Sequence, residues 1–121
     1  MNKNVAILGA TDDPTKYAHK ALKSLQGHGY NPIPVNPTKE TVDGLKCYPS
    51  LRDVPEQIDT ITLYLRPAIS SQIIDDILSV KPRRVIMNPG TENDQLATAC
   101  EQNRIEVIHA CTLVMLKIGG F

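Results

Sequence analysis

The stretch that decides the fold is VAILGATDDPTK, residues 5–16. Val5 to Leu8 is a continuous apolar run that ends at Gly9, a pattern typical of a strand buried on both faces of a parallel sheet. Asp13-Pro14 predicts the start of a helix, with Asp13 as its N-cap. The inward face of that helix follows at helical spacing, with Ala18, Ala21, Leu22 and Leu25. A buried strand followed by a helix predicts an α/β unit.

The rest of the chain continues this alternation of strands and helices. Four more strands are predicted at residues 30–35, 59–65, 84–87 and 105–108. Helices are predicted to begin at Pro67 and at a capping box of Thr91 and Asp94. Residues 38–56 read as a packed connection with a short turn of helix, and 112–118 as a last helical turn or two. The prediction is an α/β fold, a single Rossmann-like doubly wound domain over residues 1–121. Its five-stranded, mostly parallel sheet has the order 3-2-1-4-5 and helices on both faces.

Composition excludes several classes of protein. Lys and Arg number 13, Asp and Glu number 13, and the formal net charge is zero, which argues against a nucleic-acid binder. Three cysteines without C-x-x-C spacing argue against a disulfide framework and fit a reducing compartment, so the cytoplasm is predicted. No signal peptide or membrane-spanning run is predicted. A monomer or weak homodimer is expected with no identified protein partner, and the apolar residues 113–118 either close the core or form a dimer patch.

In a doubly wound sheet the ligand lies beyond the carboxyl ends of the strands, so the residues there carry the functional prediction. Gly9, Ala10 and Thr11 follow the first strand, where a glycine lets backbone N–H groups approach a phosphate. Lys16 follows near a helix N-terminus, a place where a lysine suits a neighbouring anion. The alternative is a plain tight turn beside a solvated surface lysine.

The second predicted strand ends in Asn36, where nicotinamide dinucleotide proteins keep a carboxylate for the ribose hydroxyls. Lys39 lies close behind and could meet a phosphate on the ribose. Asn36-Pro37 is also ordinary turn chemistry. Arg66 and Pro67 follow the third strand, and Arg66 is a candidate phosphate ligand or a surface ion-pair partner.

Asn88, Pro89 and Gly90 end the fourth predicted strand, and Gly90 most simply serves the turn. Cys111 follows the fifth strand, two residues after His109. Its thiol could be activated if His109 lay beside it, or it could be a small buried hydrophobe. Cys100 is predicted to lie in the core and Cys47 to be partly exposed.

Four motifs in this order carry a resemblance to a known family: G-A-T-x-x-P-x-K-Y, G-Y-N-P-I-P-V-N-P, G-L-K-C-Y-P-S-L-R-D-V-P and D-T-I-T-L-Y-L-R-P. Together they resemble the stand-alone coenzyme A-binding domain family, which is related to the CoA-binding domain of succinyl-CoA ligase alpha subunits. The resemblance runs from Val5 to about Met115. It implies coenzyme A or an acyl-CoA as the ligand.

The resemblance also implies where the ligand lies. The pyrophosphate would meet the Gly9-Ala10-Thr11 turn near Lys16, and the adenine and ribose would lie along Val35, Asn36 and Pro37. Leu65 to Pro67 would flank the nucleotide. The pantetheine arm would pass Asn88, Pro89 and Gly90 towards Cys111. The chain departs from the family pattern in having Met87-Asn88-Pro89 where many members have Trp and Gln, and His109-Ala110 where many have Asp-Arg.

The resulting hypothesis is a small CoA- or acyl-CoA-binding protein without its own catalytic machinery or metal site. Two alternatives share the same fold. One is an NAD(P)-dependent oxidoreductase of the Rossmann type, which predicts an acidic residue after the second strand and more glycines after the first. The other is a regulatory or interaction domain that holds no nucleotide.

Overall fold

A parallel sheet flanked by helices forms the body of the protein in a computed structural model that describes residues 1–121. In chain order the elements are β1 (Asn4–Leu8), α1 (Tyr17–Gly27), β2 (Asn31–Val35), β3 (Thr41–Val42), β4 (Leu45–Lys46), a 3-10 turn (Leu51–Asp53), β5 (Thr60–Leu63), α2 (Pro67–Ser70), α3 (Ile74–Val80), β6 (Arg84–Met87), α4 (Asp94–Gln102), β7 (Glu106–His109) and α5 (Thr112–Ile118). None of the helices combines the length and the apolar character that a membrane crossing requires.

The five long strands lie in the order β2-β1-β5-β6-β7, and every neighbouring pair is parallel. This confirms the predicted α/β fold and its five-stranded parallel sheet. One placement is corrected: the third predicted strand, β5, pairs with β1 instead of lying beyond β2. In the strand numbers of the prediction the order is therefore 2-1-3-4-5, which is the order of flavodoxin-like doubly wound sheets.

The prolines of β2 explain this placement. Pro32 and Pro34 have no N–H to give to a further strand, and proline inside a sheet is confined to edge strands. The connection that follows β2 covers the remaining edge, because Tyr48 N–H donates to Pro34 O at 3.0 Å and Asn36 N–H donates to Tyr48 O at 2.9 Å. The chain then has to return across β1, and β5 joins the sheet on its other side.

Alternate residues of β1 bury their side chains on opposite faces of the sheet. Val5 and Ile7 pack with the inward residues of α1 and with Leu116 of α5, whereas Ala6 and Leu8 pack in the cluster that contains Ile77 of α3 and Leu96 of α4. The predicted helices on both faces are therefore present. The strand order reverses between β1 and β5, because the chain goes from β1 to one side of the sheet and from β5 to the other. Open α/β sheets bind ligands beyond the carboxyl ends of the strands at such a point.

Helix boundaries differ from the predicted ones near the carboxyl edge. Asp13 does not cap α1: its Oδ1 accepts from Thr15 N–H at 2.9 Å and its carbonyl from Lys16 N–H at 3.1 Å, which closes a separate turn. The helix predicted from Pro67 breaks into α2 and α3. At α4 the cap is Asn93, whose Oδ1 accepts from Leu96 N–H at 3.1 Å, while Thr91 donates its hydroxyl to Asn88 O at 2.7 Å.

Candidate functional site

Gly9 brings the carboxyl ends of β1 and β5 into direct contact. Its φ is +88°, and a Cβ added there would stand 2.7 Å from Tyr64 O and 3.0 Å from a methyl carbon of Leu65. Both the left-handed backbone and the close approach therefore require glycine. The sequence suggested that Gly9 makes room for a phosphate, and the structure gives it a second role, which is to let β5 approach.

The N–H groups of Gly9 and Ala10 already have partners, because both donate to Val35 O, at 3.2 and 3.3 Å. The predicted cradle of N–H groups at the Gly9-Ala10-Thr11 turn is thus partly used for joining β1 to β2. The Thr11 N–H of the same turn has no partner, and two further uncommitted donors lie at the start of α1. Tyr17 and Ala18 begin α1, donate to no backbone carbonyl, and have no side-chain cap from Lys16.

A cleft of about 420 Å³ opens between these groups, and we call it the central cleft. Its walls include Gly9, Thr11, Tyr64 and the start of α1, with the loop after β6 contributing Pro89 and Gly90. Two cations line it, Lys16 at the N-cap of α1 and Arg66 at the N-cap of α2. Both side chains are exposed, and neither forms an ion pair. The cleft therefore collects positive charge that the protein itself does not neutralise.

A second cavity, of about 430 Å³, lies beside β2 and is called the β2 cavity. It shares Gly9 and Leu65 with the central cleft. Its walls are mostly apolar, with Leu8, Val35, Pro37, Leu51, Ile69 and Ile73. The isoleucines come from the segment between β5 and α3, and the sequence analysis gave neither of them a role at the site.

Asn36 lines the β2 cavity, but its side chain is engaged in holding two loops together. Its Nδ2 donates to Ala10 O at 2.8 Å, and its Oδ1 accepts from the N–H and the hydroxyl of Thr38, at 2.9 and 2.8 Å. Lys39 lies outside the cavity, where its Nζ is 3.3 Å from the Asp12 carboxylate. This edge of the site therefore offers no free carboxylate near the end of β2.

The third cavity, of about 420 Å³, lies against α5 and is called the α5 cavity. It shares Tyr17, Tyr64 and Pro89 with the central cleft. The three cavities are therefore neighbours along the carboxyl edge of the sheet, and we call the set the trough. Leu113 and Val114 form its outer wall, and Cys111 also lines it. The sequence analysis assigned Tyr17, Leu113 and Val114 no role at the ligand site, because only the packing of α5 beside α1 brings them to the trough.

A buried polar network supports the floor of the α5 cavity. Asn88 Nδ2 donates to Thr62 Oγ1 at 2.8 Å and to Leu63 O at 2.9 Å, while its Oδ1 accepts from Thr112 N–H at 2.8 Å. The Thr62 and Thr112 hydroxyls are 2.8 Å apart. Asn88 was predicted as a ligand contact, but its side chain forms hydrogen bonds that connect β5, β6 and the start of α5.

The Tyr64 hydroxyl is buried and makes no hydrogen bond. Burial raises the pKa of Tyr64 to about 12, because a tyrosinate would lose its hydration there. Tyr64 therefore stays neutral at physiological pH and contributes the face of its ring to both the central cleft and the α5 cavity.

The three cysteines are all free and differ in exposure. Cys100 is buried, as predicted. Cys47 is buried too, at 4% exposed, which corrects the expectation that it would be partly exposed. Cys47 is covered because the β3–β4 hairpin folds back over α1. Residues 38–56 have no periodic apolar pattern, so the sequence does not predict this arrangement. Cys111 is half-buried, and His109 makes no hydrogen bond with it. No three His, Cys, Asp or Glu side chains gather as a metal site.

The remaining predicted site residues lie beside the trough. Ala10 is buried under the loop after β1, and Pro67 is exposed at the first position of α2. Neither lines any of the three cavities. Among the predicted residues, the structure brings Gly9, Thr11, Lys16, Arg66, Pro89 and Gly90 together around the central cleft.

Comparisons with known proteins agree on one family. The family model for a CoA binding domain matches residues 3–117. YneT of Bacillus subtilis, an uncharacterized protein, is 31% identical over 78 residues, which are 61% of this chain and 58% of that protein. The alpha subunit of an ADP-forming acetate–CoA ligase II of Pyrococcus furiosus is 34% identical over 58 residues, 47% of this chain and 13% of the subunit. A crystal structure of an uncharacterized protein is 44% identical with a TM-score of 0.93, covering 100% of this chain and 99% of that one.

Proposed function

The chain belongs to the family of CoA-binding domains, and we propose that it is a cytoplasmic protein that binds coenzyme A or an acyl-CoA along its trough of three cavities. The observation that carries this proposal is that Lys16 and Arg66 line the same cleft and that neither forms an ion pair. Three free cysteines fit the reducing conditions of the cytoplasm.

The pyrophosphate of the ligand would lie in the central cleft. Lys16 and Arg66 would supply charge, and the uncommitted N–H groups of Tyr17 and Ala18 would add donors at the positive end of α1. The Gly9 and Ala10 N–H groups are bonded to Val35 O, so the anion would be held mainly by α1 and the two cations. This arrangement suits a doubly charged group better than a single carboxylate.

The adenine would lie in the β2 cavity, whose walls are apolar. Asn36 uses both ends of its side chain amide for loop contacts, and the carboxylate that lines this cavity, Asp76 of α3, is already paired with Arg52. A dinucleotide such as NAD would lack its usual partner there. Lys39, whose Nζ is 3.3 Å from the Asp12 carboxylate, would exchange that partner for the 3′-phosphate of coenzyme A.

The protein is proposed as a binding module without catalytic machinery of its own. Its one histidine near the trough, His109, is exposed and makes no hydrogen bond with Cys111. The names of the ligase relatives describe much longer proteins, since this chain spans 13% of the acetate–CoA ligase subunit it matches. Free coenzyme A and its thioesters are both candidate ligands.

Titration calorimetry of coenzyme A against single variants tests the proposal. Lys16→Ala and Arg66→Ala each remove a charge-assisted contact in an open cleft, and we expect each to weaken binding roughly tenfold. Lys117→Ala is the matched control, because Lys117 is equally exposed and unpaired but lies outside the trough. A parent that does not bind, or two cleft variants that bind like Lys117→Ala, would contradict the proposal.

A further inference from the structure

The α5 cavity differs from the central cleft in what its walls offer. Pro89, Leu113, Val114 and the ring of Tyr64 line it, and no charged side chain does. The central cleft carries Lys16 and Arg66 instead. A ligand that follows the trough from the cleft into this cavity therefore passes from a charged to an apolar environment.

Apart from the thiol of Cys111, a weak hydrogen-bonding group, and the exposed Tyr17, the polar side chains in the α5 cavity have little capacity left for a ligand. Asn88 has committed its Nδ2 and its Oδ1 to the network beneath the floor. The Tyr64 hydroxyl is sealed from solvent. An amide buried against these walls would lose its hydrogen bonds to water and find no strong partner among them. A hydrocarbon chain has no hydrogen bonds to water to lose.

Two large apolar side chains at this cavity are exposed to solvent. Tyr17 is 67% exposed and Val114 is 53% exposed. Both line the α5 cavity, and Tyr17 also lines the central cleft, so the exposed apolar surface is continuous with the phosphate site. The volume of about 420 Å³ is in the range of sites that hold small ligands.

We infer that the α5 cavity holds the acyl chain of an acyl-CoA, so that the protein prefers thioesters of apolar acids to the free thiol. This inference rests on the proposed function and names the form of the ligand. The pantetheine amides then lie at the open rim, where water can hydrate them, and the acyl chain covers Tyr17 and Val114. Burial of that chain supplies the preference.

The experiment is calorimetry with coenzyme A, acetyl-CoA, butyryl-CoA and hexanoyl-CoA at one ionic strength. We expect affinity to rise along the series, by up to about fourfold for each methylene that is fully buried. Val114→Ser should flatten this rise, so that it weakens hexanoyl-CoA more than it weakens free coenzyme A. Ile118→Ser is the matched control, because Ile118 lies on the same helix, is 74% exposed and does not line the cavity.

The outcomes separate this inference from the proposed function. Equal affinity for coenzyme A and hexanoyl-CoA would overturn the inference and leave coenzyme A binding intact. The inference also fails if Val114→Ser weakens free coenzyme A as much as hexanoyl-CoA, since the cavity would then hold the pantetheine arm. If no member of the series binds, the proposed function fails together with the inference.

Discussion

Replacing Gly9 with alanine should destabilise the protein by an amount that the structure allows to be divided into two parts. The first is conformational, because a φ of +88° places an L-residue in the left-handed region, at a cost of roughly 1–2 kcal/mol. The second is steric, because the new Cβ would stand 2.7 Å from Tyr64 O, a backbone atom that cannot rotate away. A forced shift of this kind in a packed site costs about 1–3 kcal/mol.

Gly29→Ala is the control for the conformational part alone. Gly29 has a φ of +83°, and a Cβ there would meet nothing within 4 Å. We expect Gly29→Ala to lower the free energy of unfolding by roughly 1–2 kcal/mol and Gly9→Ala to lower it by about 2–5 kcal/mol. Urea unfolding followed by far-UV circular dichroism measures both. Equal losses would show that β1 and β5 can separate at no cost, which would refute the account of Gly9 as a contact glycine.

Two other predictions concern Tyr64 and Cys111. Because the buried Tyr64 hydroxyl has no partner, Tyr64→Phe removes an unsatisfied polar group and should raise the free energy of unfolding at pH 7 by about 1–3 kcal/mol. The pKa of Tyr64 is about 12 in the folded protein and about 10 in an unfolded chain, so the parent should lose stability relative to Tyr64→Phe as pH rises from 10 towards 12. A stability difference between the two proteins that stays constant over that range would argue against it. With the disulfide of coenzyme A, the Cys111 thiolate should attack one sulfur, form a mixed disulfide and release one CoA thiolate. Peptide mass mapping should find the adduct on Cys111 and not on buried Cys47 or Cys100, and an adduct on Cys47 alone would place Cys111 away from the ligand path.

The fold could be predicted because its signals are local. The apolar run before Gly9 and the alternation of strands and helices are sufficient for a parallel α/β sheet. The order of the strands carried a signal that the prediction did not use, since Pro32 and Pro34 mark β2 as an edge strand. Helix starts were less predictable, because Asp13 and Thr91 satisfy the capping pattern but make their bonds within turns.

The strand ends were sufficient to locate the candidate site from the sequence. They did not give the role of each residue there. The observed order places Lys16 and Arg66 near one another, since both follow strands that end at the switch point, whereas the predicted order puts the second strand between them. The roles of Asn36 and Asn88 depend on partners far away in sequence, Ala10 for the first and Thr62 and Thr112 for the second. Such partners are set by tertiary packing, and no local pattern encodes them.

The most direct measurement of the central claim is calorimetric titration of the unmodified protein with coenzyme A and, separately, with NAD at the same ionic strength. The two unpaired cations on the central cleft and a mostly apolar β2 cavity, whose one carboxylate is paired with Arg52, predict that coenzyme A binds more tightly. Binding of NAD with equal or higher affinity would contradict the account.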